Sequence, residues 1–451
     1  MGSVFHDLYD MLKRNEKEML ISRSGSTTDS RCEKIRSGQS YLYKRCGMES
    51  EVLEIRFRSR VFGAQLNQAL LIAIKRYPYF NTRLVEKDGD FYIVQNEQGL
   101  TAKRTKKLAR LGHISCGYHL IDVTYFDDSV YISFHHALCD GRGIMPFVET
   151  LVYYYCVQRY GSTPAPEGIR LAGEPLLPGE TVDPFLKEYD FDQSKELIGF
   201  SRDAFAIPEI GLPKQSLNYR YELQIPASRF MQVCKEFHAT PAILLALLMN
   251  RGIANMYPDY DRPIHANIAA DMRDALDAPN TFKNCVRSMI LPYDRELAAK
   301  SLCEQASEYR RLLSAQRDRD FCRKEANAMI GLFDRLDHLD SYQEKQKIMT
   351  FFEGMTLNTY IISYLGRMKL GENAAHIDGM HLYNSGTTGL GINMIACGES
   401  FCLDFKQSFP SDKYVKAFRE ELETLGIGYQ ASGQIPFITP CDSIIKRNEA
   451  G

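Results

Sequence analysis

The stretch at residues 133–141, S-F-H-H-A-L-C-D-G, is the most informative part of this 451-residue sequence. Its start predicts a strand that carries His135 and His136 to its end, and the Asp-Gly pair predicts a turn before the next helix. Catalytic side chains are commonly held at strand ends and in the loops that follow them. Imidazole is the side chain best suited to accept a proton near neutral pH. The stretch therefore indicates an active site in which a histidine is the base.

The N-terminal half around this stretch has the periodicity of mixed α and β structure. Alternating apolar residues predict strands at 51–58, 82–85, 91–94, 119–125 and 130–134, and helical spacing predicts helices at 62–74 and 144–155. Proline and glycine are dense between residues 160 and 216, which predicts an irregular crossover. We place a domain boundary in that crossover, with residues 1–190 in the first domain and 191–451 in the second.

The C-terminal half repeats the mixture of strands and helices. The pattern predicts strands at 219–225, 263–269, 285–291, 359–363, 391–396 and 400–405, and helices at 230–237, 242–249 and 412–425. The helix at 242–249 is apolar all round, so we expect it to be buried. Two charged helices are predicted between residues 295 and 346, where glycine and proline are almost absent.

The composition excludes several classes of protein. Lysine and arginine number 55 against 57 acidic residues, so the basic excess of a nucleic-acid binder is absent. No apolar run is long enough to span a bilayer, and residues 1–20 form a charged amphipathic stretch rather than a signal peptide. The twelve cysteines are dispersed without metal-ligand spacing, which predicts reduced thiols, a cytoplasmic protein and no metal site.

The stretch at 133–141 resembles the H-H-x-x-x-D-G motif of the CoA-dependent acyltransferase superfamily. That superfamily includes chloramphenicol acetyltransferase, alcohol O-acetyltransferases, plant BAHD acyltransferases and the condensation domains of nonribosomal peptide synthetases. Weaker similarities lie at residues 76–78 (R-Y-P), at 270–273 (A-D-M-R) with a later asparagine, and at 363–366 (S-Y-L-G), where the family usually has S-N-x-G. The chain has no tryptophan and lacks the plant D-F-G-W-G string, so the resemblance favours a stand-alone alcohol acetyltransferase type.

The resemblance implies an α/β fold of two chloramphenicol-acetyltransferase-like domains with an active-site channel between them. It makes His136 the general base, while His135 supports the loop more than it reacts. It pairs Asp140 with an arginine of the second half, for which Arg273 is the candidate. A triad of Asp140 with His136, or a plain Asp-Gly turn, are the alternatives for that aspartate.

Further residues of the sequence are assigned smaller roles. Gly141 is expected to supply backbone freedom or a close approach, and Cys139 is a buried apolar residue or, as the alternative, a nucleophile. Asn284, Ser363 and Thr387 could donate hydrogen bonds to the substrates, although plain strand-end or turn roles remain open for each. The charged helices near Arg317 are interpreted as solvated faces that could also meet the CoA phosphates.

The expected function is transfer of an acyl group, acetyl or another short chain, from acyl-CoA to a small alcohol or amine. The resemblance implies no permanently bound cofactor, a monomer, and acyl-CoA with the small-molecule acceptor as the binding partners. One alternative is a condensation-type enzyme that takes its acyl group from a carrier protein. The other is a binding protein that keeps the fold without catalysis, which the substitution in the S-N-x-G string leaves open.

Overall fold

The computed structural model describes residues 32–35, 50–87, 90–161, 163–196, 203–211, 217–353, 358–384 and 389–438. The charged stretch predicted at residues 1–20 lies outside this part of the chain. The chain divides into two units, Met1–Glu33 and Lys34–Gly451. The helices and strands from residue 50 onward belong to the second unit, and a short strand, β1 (Cys32–Lys34), spans the boundary in the sequence.

The N-terminal half contains the predicted strands and helices. They are β2 (Ser50–Phe57), α1 (Gly63–Arg76), β3 (Thr82–Lys87), β4 (Asp90–Gln95), β6 (Ile121–Phe126), β7 (Ser129–His135) and α2 (Gly141–Tyr160), and a two-residue strand that was not predicted, β5 (Lys103–Arg104), precedes β6. In the described parts of the crossover there are only short 3₁₀ turns, at Pro184–Leu186 and Pro208–Gly211. The irregular crossover expected from the proline and glycine content is therefore confirmed for those residues.

The C-terminal half has more helices and more strands than predicted. Its elements are β8 (Leu217–Pro226), α3 (Ala227–Glu236), α4 (Pro241–Met256), β9 (Ile264–Asp271), β10 (Val286–Tyr293), α5 (Arg295–Ala298), α6 (Leu302–Gln316), α7 (Arg319–Asp337), α8 (Tyr342–Glu353), β11 (Tyr360–Arg367), β12 (Ile377–Asn384), β13 (Leu390–Cys397), β14 (Ser400–Gln407), α9 (Lys413–Thr424), β15 (Gln430–Ala431) and β16 (Ile435–Ile438). The region predicted as two charged helices holds four, because capping residues such as Ser301 and Asp318 start new helices inside it. Strands β12, β15 and β16 were not predicted.

Two sheets carry the fold. The first has the strand order β12-β2-β7-β6-β5, and the second has the order β10-β9-β11-β13-β14-β8-β15, with β16 also paired to β8. Strand β12 comes from the C-terminal half but is antiparallel to β2, where Met380 faces Ile55. The second half thus contributes an edge strand to the first sheet, and the boundary near residue 190 stays a prediction.

Each sheet covers one hydrophobic core. In the first half, Leu53 and Ile132 of the sheet are fully buried against Leu70 of α1 and Phe147 of α2. In the second half, residues 243–249 of α4 are all fully buried, which confirms the expectation for that apolar helix. These two packed cores fix the strand ends from which the site side chains project.

None of the described helices is by itself long and apolar enough to cross a bilayer. Among the described residues, α3 and α4 reach that length and apolar content only when taken together, and they are bent by 83° relative to each other.

Candidate active site

The two histidines follow directly from the end of β7. Ser50 of β2 pairs with His135 and Glu51 pairs with Phe134, so the register of the sheet sets where the strand stops. The His135 ring is fully buried, and its Nδ1 accepts a hydrogen bond from the backbone N–H of Ala137 at 2.9 Å. His135 therefore holds the turn in place.

Asp140 forms the N-cap of α2 and ties the loop to the second half. Its carboxylate accepts hydrogen bonds from the backbone N–H of Gly143 at 2.7 Å and of Cys285 at 2.8 Å. It also pairs with the Arg273 guanidinium at 2.8 Å, and both side chains are almost completely buried. Both carboxylate oxygens are thus engaged by groups other than His136, and this geometry does not form the alternative triad.

Arg273 is held by the backbone as well as by Asp140. The guanidinium donates to the carbonyl oxygens of Thr281 at 2.8 Å and Lys283 at 2.6 Å, and to Asp271 at 2.9 Å. Burial alone would lower the pKa of Arg273, but the nearby carboxylates, Asp140 first, raise it overall. A charged and fully bonded arginine therefore fixes the position of the loop.

The position that requires a glycine is Gly143 and not Gly141, where the close approach was expected. Gly141 is the first residue of α2 and has helical backbone, so its conformational freedom is not used. A Cβ on Gly141 would meet only the Leu365 side chain, at 3.3 Å, whereas a Cβ on Gly143 would lie 2.0 Å from the carbonyl oxygen of Phe282. The close approach expected at Gly141 is therefore made at Gly143.

Cys139 is not placed to act as a nucleophile. Its side chain is fully buried, and burial together with the neighbouring Asp140 carboxylate raises the pKa of the thiol well above its ordinary value. The alternative of a Cys/His pair has no support in this geometry.

A cavity of about 1090 Å³ opens beside His136 between the two halves of the chain. Its wall includes His136 and Phe134 from the first half, and Asn267 and Ser363 from strands of the second sheet. Ser363, on β11, is thus positioned to meet a bound molecule. Thr387 lies outside the described residues.

Asn284 is placed behind the histidine rather than in the cavity wall. Its amide donates to the His136 carbonyl oxygen at 3.3 Å, and its own oxygen accepts from the backbone N–H of Val286 at 3.1 Å. The residue is 2 % exposed and is not part of the described cavity lining. These contacts make Asn284 a residue that positions His136, and a substrate contact by Asn284 stays a prediction.

Glu51 is the residue of this site that the sequence pattern did not indicate. Its Oε1 lies 3.4 Å from Nε2 of His136, and both side chains line the cavity. Burial raises the pKa of Glu51, but the charge of Lys406 and the contacts with His136 and Asn384 outweigh it, so the pKa is lowered overall. The available signal was its position on β2, where it shares the apolar face of Leu53, Ile55 and Phe57.

The described cavity wall carries more positive than negative charge. Nine basic side chains line it against four acidic ones: Arg76, Arg142, Arg170, Arg273, Arg287, Arg317, Arg367, Lys369 and Lys406 against Glu51, Glu149, Glu180 and Asp271. Arg317, at the end of α6, is therefore part of this wall. Such an imbalance in a cleft attracts anionic ligands.

Comparison with known proteins finds similarity at the level of structure. No family model and no curated protein matches the sequence. Polyketide synthase associated protein 5 from Mycobacterium tuberculosis aligns with 14 % identity and a TM-score of 0.59, over 89 % of this chain and 99 % of that protein. TRI101 of F. sporotrichioides, crystallised with coenzyme A and T-2, aligns with 12 % identity and a TM-score of 0.57, over 89 % and 100 % of the two chains. The first condensation domain of the CDA synthetase aligns with 13 % identity and a TM-score of 0.55, over 88 % and 96 %.

The fold expected from the sequence is therefore confirmed. This chain has the two-domain, mixed α/β fold that these proteins share, over nearly nine tenths of its length. Identities of this size establish the fold alone.

Proposed function

We propose that this protein, which has the chloramphenicol-acetyltransferase-like fold, is an acyltransferase with His136 as its general base. It would move an acyl group, acetyl or another short chain, from acyl-CoA to an alcohol or amine. The observation that carries the proposal is that His136 directly follows β7 and lines a cavity of about 1090 Å³ between the two halves. Both halves contribute side chains to that cavity, and holding two substrates together beside one base favours their reaction.

The proposed reaction begins with proton transfer to the imidazole of His136. His136 would accept the proton of the acceptor hydroxyl or amine while that heteroatom attacks the thioester carbonyl. The tetrahedral intermediate would then expel the CoA thiolate, which takes the proton from the imidazolium. Ser363 lies in the same wall and could donate to the developing oxyanion. Proton transfer by a positioned base contributes about 10²–10⁴-fold to such a rate.

Acyl-CoA is proposed as the donor because the cavity wall is rich in basic side chains. CoA carries several phosphate groups, and the cavity lining has nine basic side chains against four acidic ones in the described residues. TRI101, which has a similar fold, was crystallised with coenzyme A. The condensation domain among the similar structures supports the second candidate, a donor carried on a protein-bound phosphopantetheine.

The test is an assay of free thiol released from several acyl-CoA donors in the presence of a panel of alcohols and amines. The same acyl groups on a carrier protein are tested in parallel, and the preferred donor decides between the two candidates. Wild-type protein is expected to release thiol only when an acceptor is present. His136→Ala should lower that rate by about 10²–10⁴-fold, because the base is gone.

The matched control is His338→Ala, since His338 is an exposed histidine at the end of α7, remote from the cavity lining. It should keep the wild-type rate. Wild-type turnover by a folded His136→Ala protein would falsify the assignment of the base, and absence of transfer with every donor would favour the binding protein.

A further inference from the structure

We propose that Glu51 is the carboxylate partner of His136 and stabilises the imidazolium that forms when Nε2 accepts a proton. This inference rests on the proposed function and adds to it a residue outside the H-H-x-x-x-D-G stretch. Glu51 acts on the reaction through His136, so it is a positioning and electrostatic residue.

The first support is the geometry of the pair. Glu51 Oε1 lies 3.4 Å from His136 Nε2, and both residues line the cavity. The other ring nitrogen, Nδ1, is buried, so Nε2 is the nitrogen that can meet an acceptor. The Glu51 carboxylate therefore lies beside the reacting nitrogen itself.

The backbone fixes this geometry. Glu51 is inside β2, where it pairs with Phe134 of β7 on one side and with Asn384 of β12 on the other. His136 follows β7 by a single residue, so the hydrogen-bonded register of two central strands sets the distance between the two side chains. A side chain held by a sheet can contribute an electrostatic effect without reorganising during the reaction.

The second support is the charge of Glu51. The side chain is 9 % exposed, and its ionised form is favoured by Lys406 of β14. A buried anion beside an imidazole favours the protonated ring and so makes Nε2 a stronger proton acceptor. The separation of 3.4 Å exceeds the 2.7–2.9 Å or so of a charge-assisted hydrogen bond, so the contact should tighten as the ring becomes charged.

Asp140 does not supply this carboxylate. Its two oxygens are occupied by Arg273, Gly143 and Cys285, and it is fully buried. Asp140 therefore holds the loop, and Glu51 stabilises the protonated form of His136.

Glu51→Gln tests this assignment, because it keeps the shape of the side chain and removes its charge. The acid limb of the pH profile of kcat/KM should move to lower pH by about one unit or more, since the imidazolium loses its stabilising charge. The plateau rate should fall by about 10-fold because the base is weaker, while KM for both substrates changes less than about twofold. An acid limb at the wild-type position would overturn the inference.

The matched control is Glu149→Gln. Glu149 is another buried carboxylate of the same cavity, on α2, where it accepts a hydrogen bond from the backbone N–H of Lys369 at 2.9 Å. Its replacement should leave the midpoint of the acid limb in place, whatever it does to the rate. A shift equal to that of Glu51→Gln would show a general charge effect and would overturn the specific pairing.

The other titratable groups of the cavity are unchanged in Glu51→Gln. They lie on separate elements around the cavity, and the main ones are Lys406 on β14, Arg142 on α2, Asp271 on β9, Arg287 on β10 and Arg367 on β11. A displaced acid limb in this variant can therefore be assigned to the Glu51 charge.

A second variant keeps the inference testable if Glu51→Gln does not fold. Glu51→Asp retains the charge but withdraws it by one methylene, so the acid limb should move in the same direction by a smaller amount. A folded Glu51→Asp protein with the wild-type profile would overturn the proposal. Failure of the proposed function is distinguishable, since in that case the wild-type protein transfers no acyl group at all.

Discussion

At the scale of single residues, the loop after β7 separates the reacting side chain from the side chains that hold it. His136 faces the cavity, while His135 and Asp140 are fully buried and bonded to the loop and to the second half. Asn284 adds a hydrogen bond to the carbonyl oxygen of His136 itself. The backbone that carries the imidazole is thus held by both halves before any substrate is bound.

Asp140→Asn should lower the stability of the folded protein by about 3–5 kcal/mol, because it leaves the buried Arg273 guanidinium without its charge partner. The measurement is urea-induced unfolding at neutral pH. Asp203→Asn is the control, since Asp203 belongs to an exposed pair with Arg262 and should change the stability by less than about 1 kcal/mol. Equal unfolding midpoints for the two variants would contradict the structural role of the Asp140–Arg273 pair.

The sequence could indicate some of these residues and not others. The H-H-x-x-x-D-G stretch and Arg273 could be found because short spacing and a family resemblance point to them. Glu51 could not be found in that way, because its relation to His136 depends on the register between two strands about 80 residues apart. Gly143 was missed for the same kind of reason, since the carbonyl of Phe282 that excludes a side chain there comes from the other half.

At the scale of elements, a buried group of charges joins the two sheets. Arg56 of β2 donates to Glu222 of β8 at 2.7 and 2.6 Å, and Arg220 of β8 donates to Glu54 of β2 at 3.1 Å. His381 of β12 lies in the same group, where it contacts a carboxylate of β14. We call these residues the inter-sheet cluster, and they connect the exchanged strand β12 to the second sheet.

The inter-sheet cluster predicts a pH dependence of stability. Burial raises the pKa of Glu222 and of Glu54, but the arginines, with His381, outweigh it and lower both. The unfolded chain therefore binds protons at higher pH than the folded chain does. The stabilisation by these carboxylates is complete above the unfolded pKa of about 4.3 and is lost as the pH falls through the lower folded value.

Glu222→Gln should destabilise the fold by about 2–3 kcal/mol at pH 7, less than Asp140→Asn because Arg56 is partly exposed. The loss relative to wild type should shrink toward pH 3, where the wild-type carboxylate becomes protonated as well. Urea unfolding at several pH values measures both effects. A difference between the two proteins that stays constant from pH 7 to pH 3 would contradict the ion-pair explanation.

Sequence periodicity was enough to predict some of the helices and strands but not others. Strands of the central sheets and the apolar helix α4 were predictable because burial imposes a regular pattern on them. The helices between residues 295 and 353 were merged in the prediction, although Ser301 and Glu304 form a capping box that marks a new start. Strand β12 was missed because its partner β2 lies more than 300 residues away, and its role at the edge of the first sheet is decided by that pairing.

At the scale of the whole molecule, the two halves enclose a cavity whose described wall is rich in positive charge. The basic side chains come from α1 and α2, from the crossover, from β10, β11 and β14, and from the segments that follow β9, α6 and β11. Some of them are neutralised locally, as Arg76 is by Glu180 at 2.8 Å and Arg142 is by Asp271 at 3.1 Å. The excess of positive charge is therefore a property of the assembled cavity. The whole chain has a formal net charge of -2, and no single segment of the sequence indicates this excess.

This charge predicts that binding of the proposed donor depends on salt. KM for acetyl-CoA should rise about 3–10-fold when the ionic strength increases from about 0.02 M to about 0.3 M, because ions screen the attraction between the phosphates and the wall. The control is the acetyl thioester of pantetheine, which has no phosphate and whose KM should be nearly independent of salt. Steady-state measurements of thiol release with both donors supply the comparison. A KM for acetyl-CoA that does not change with salt would show that the basic wall serves another ligand, and it would shift the assignment of the donor toward a carrier protein that brings its own binding surface.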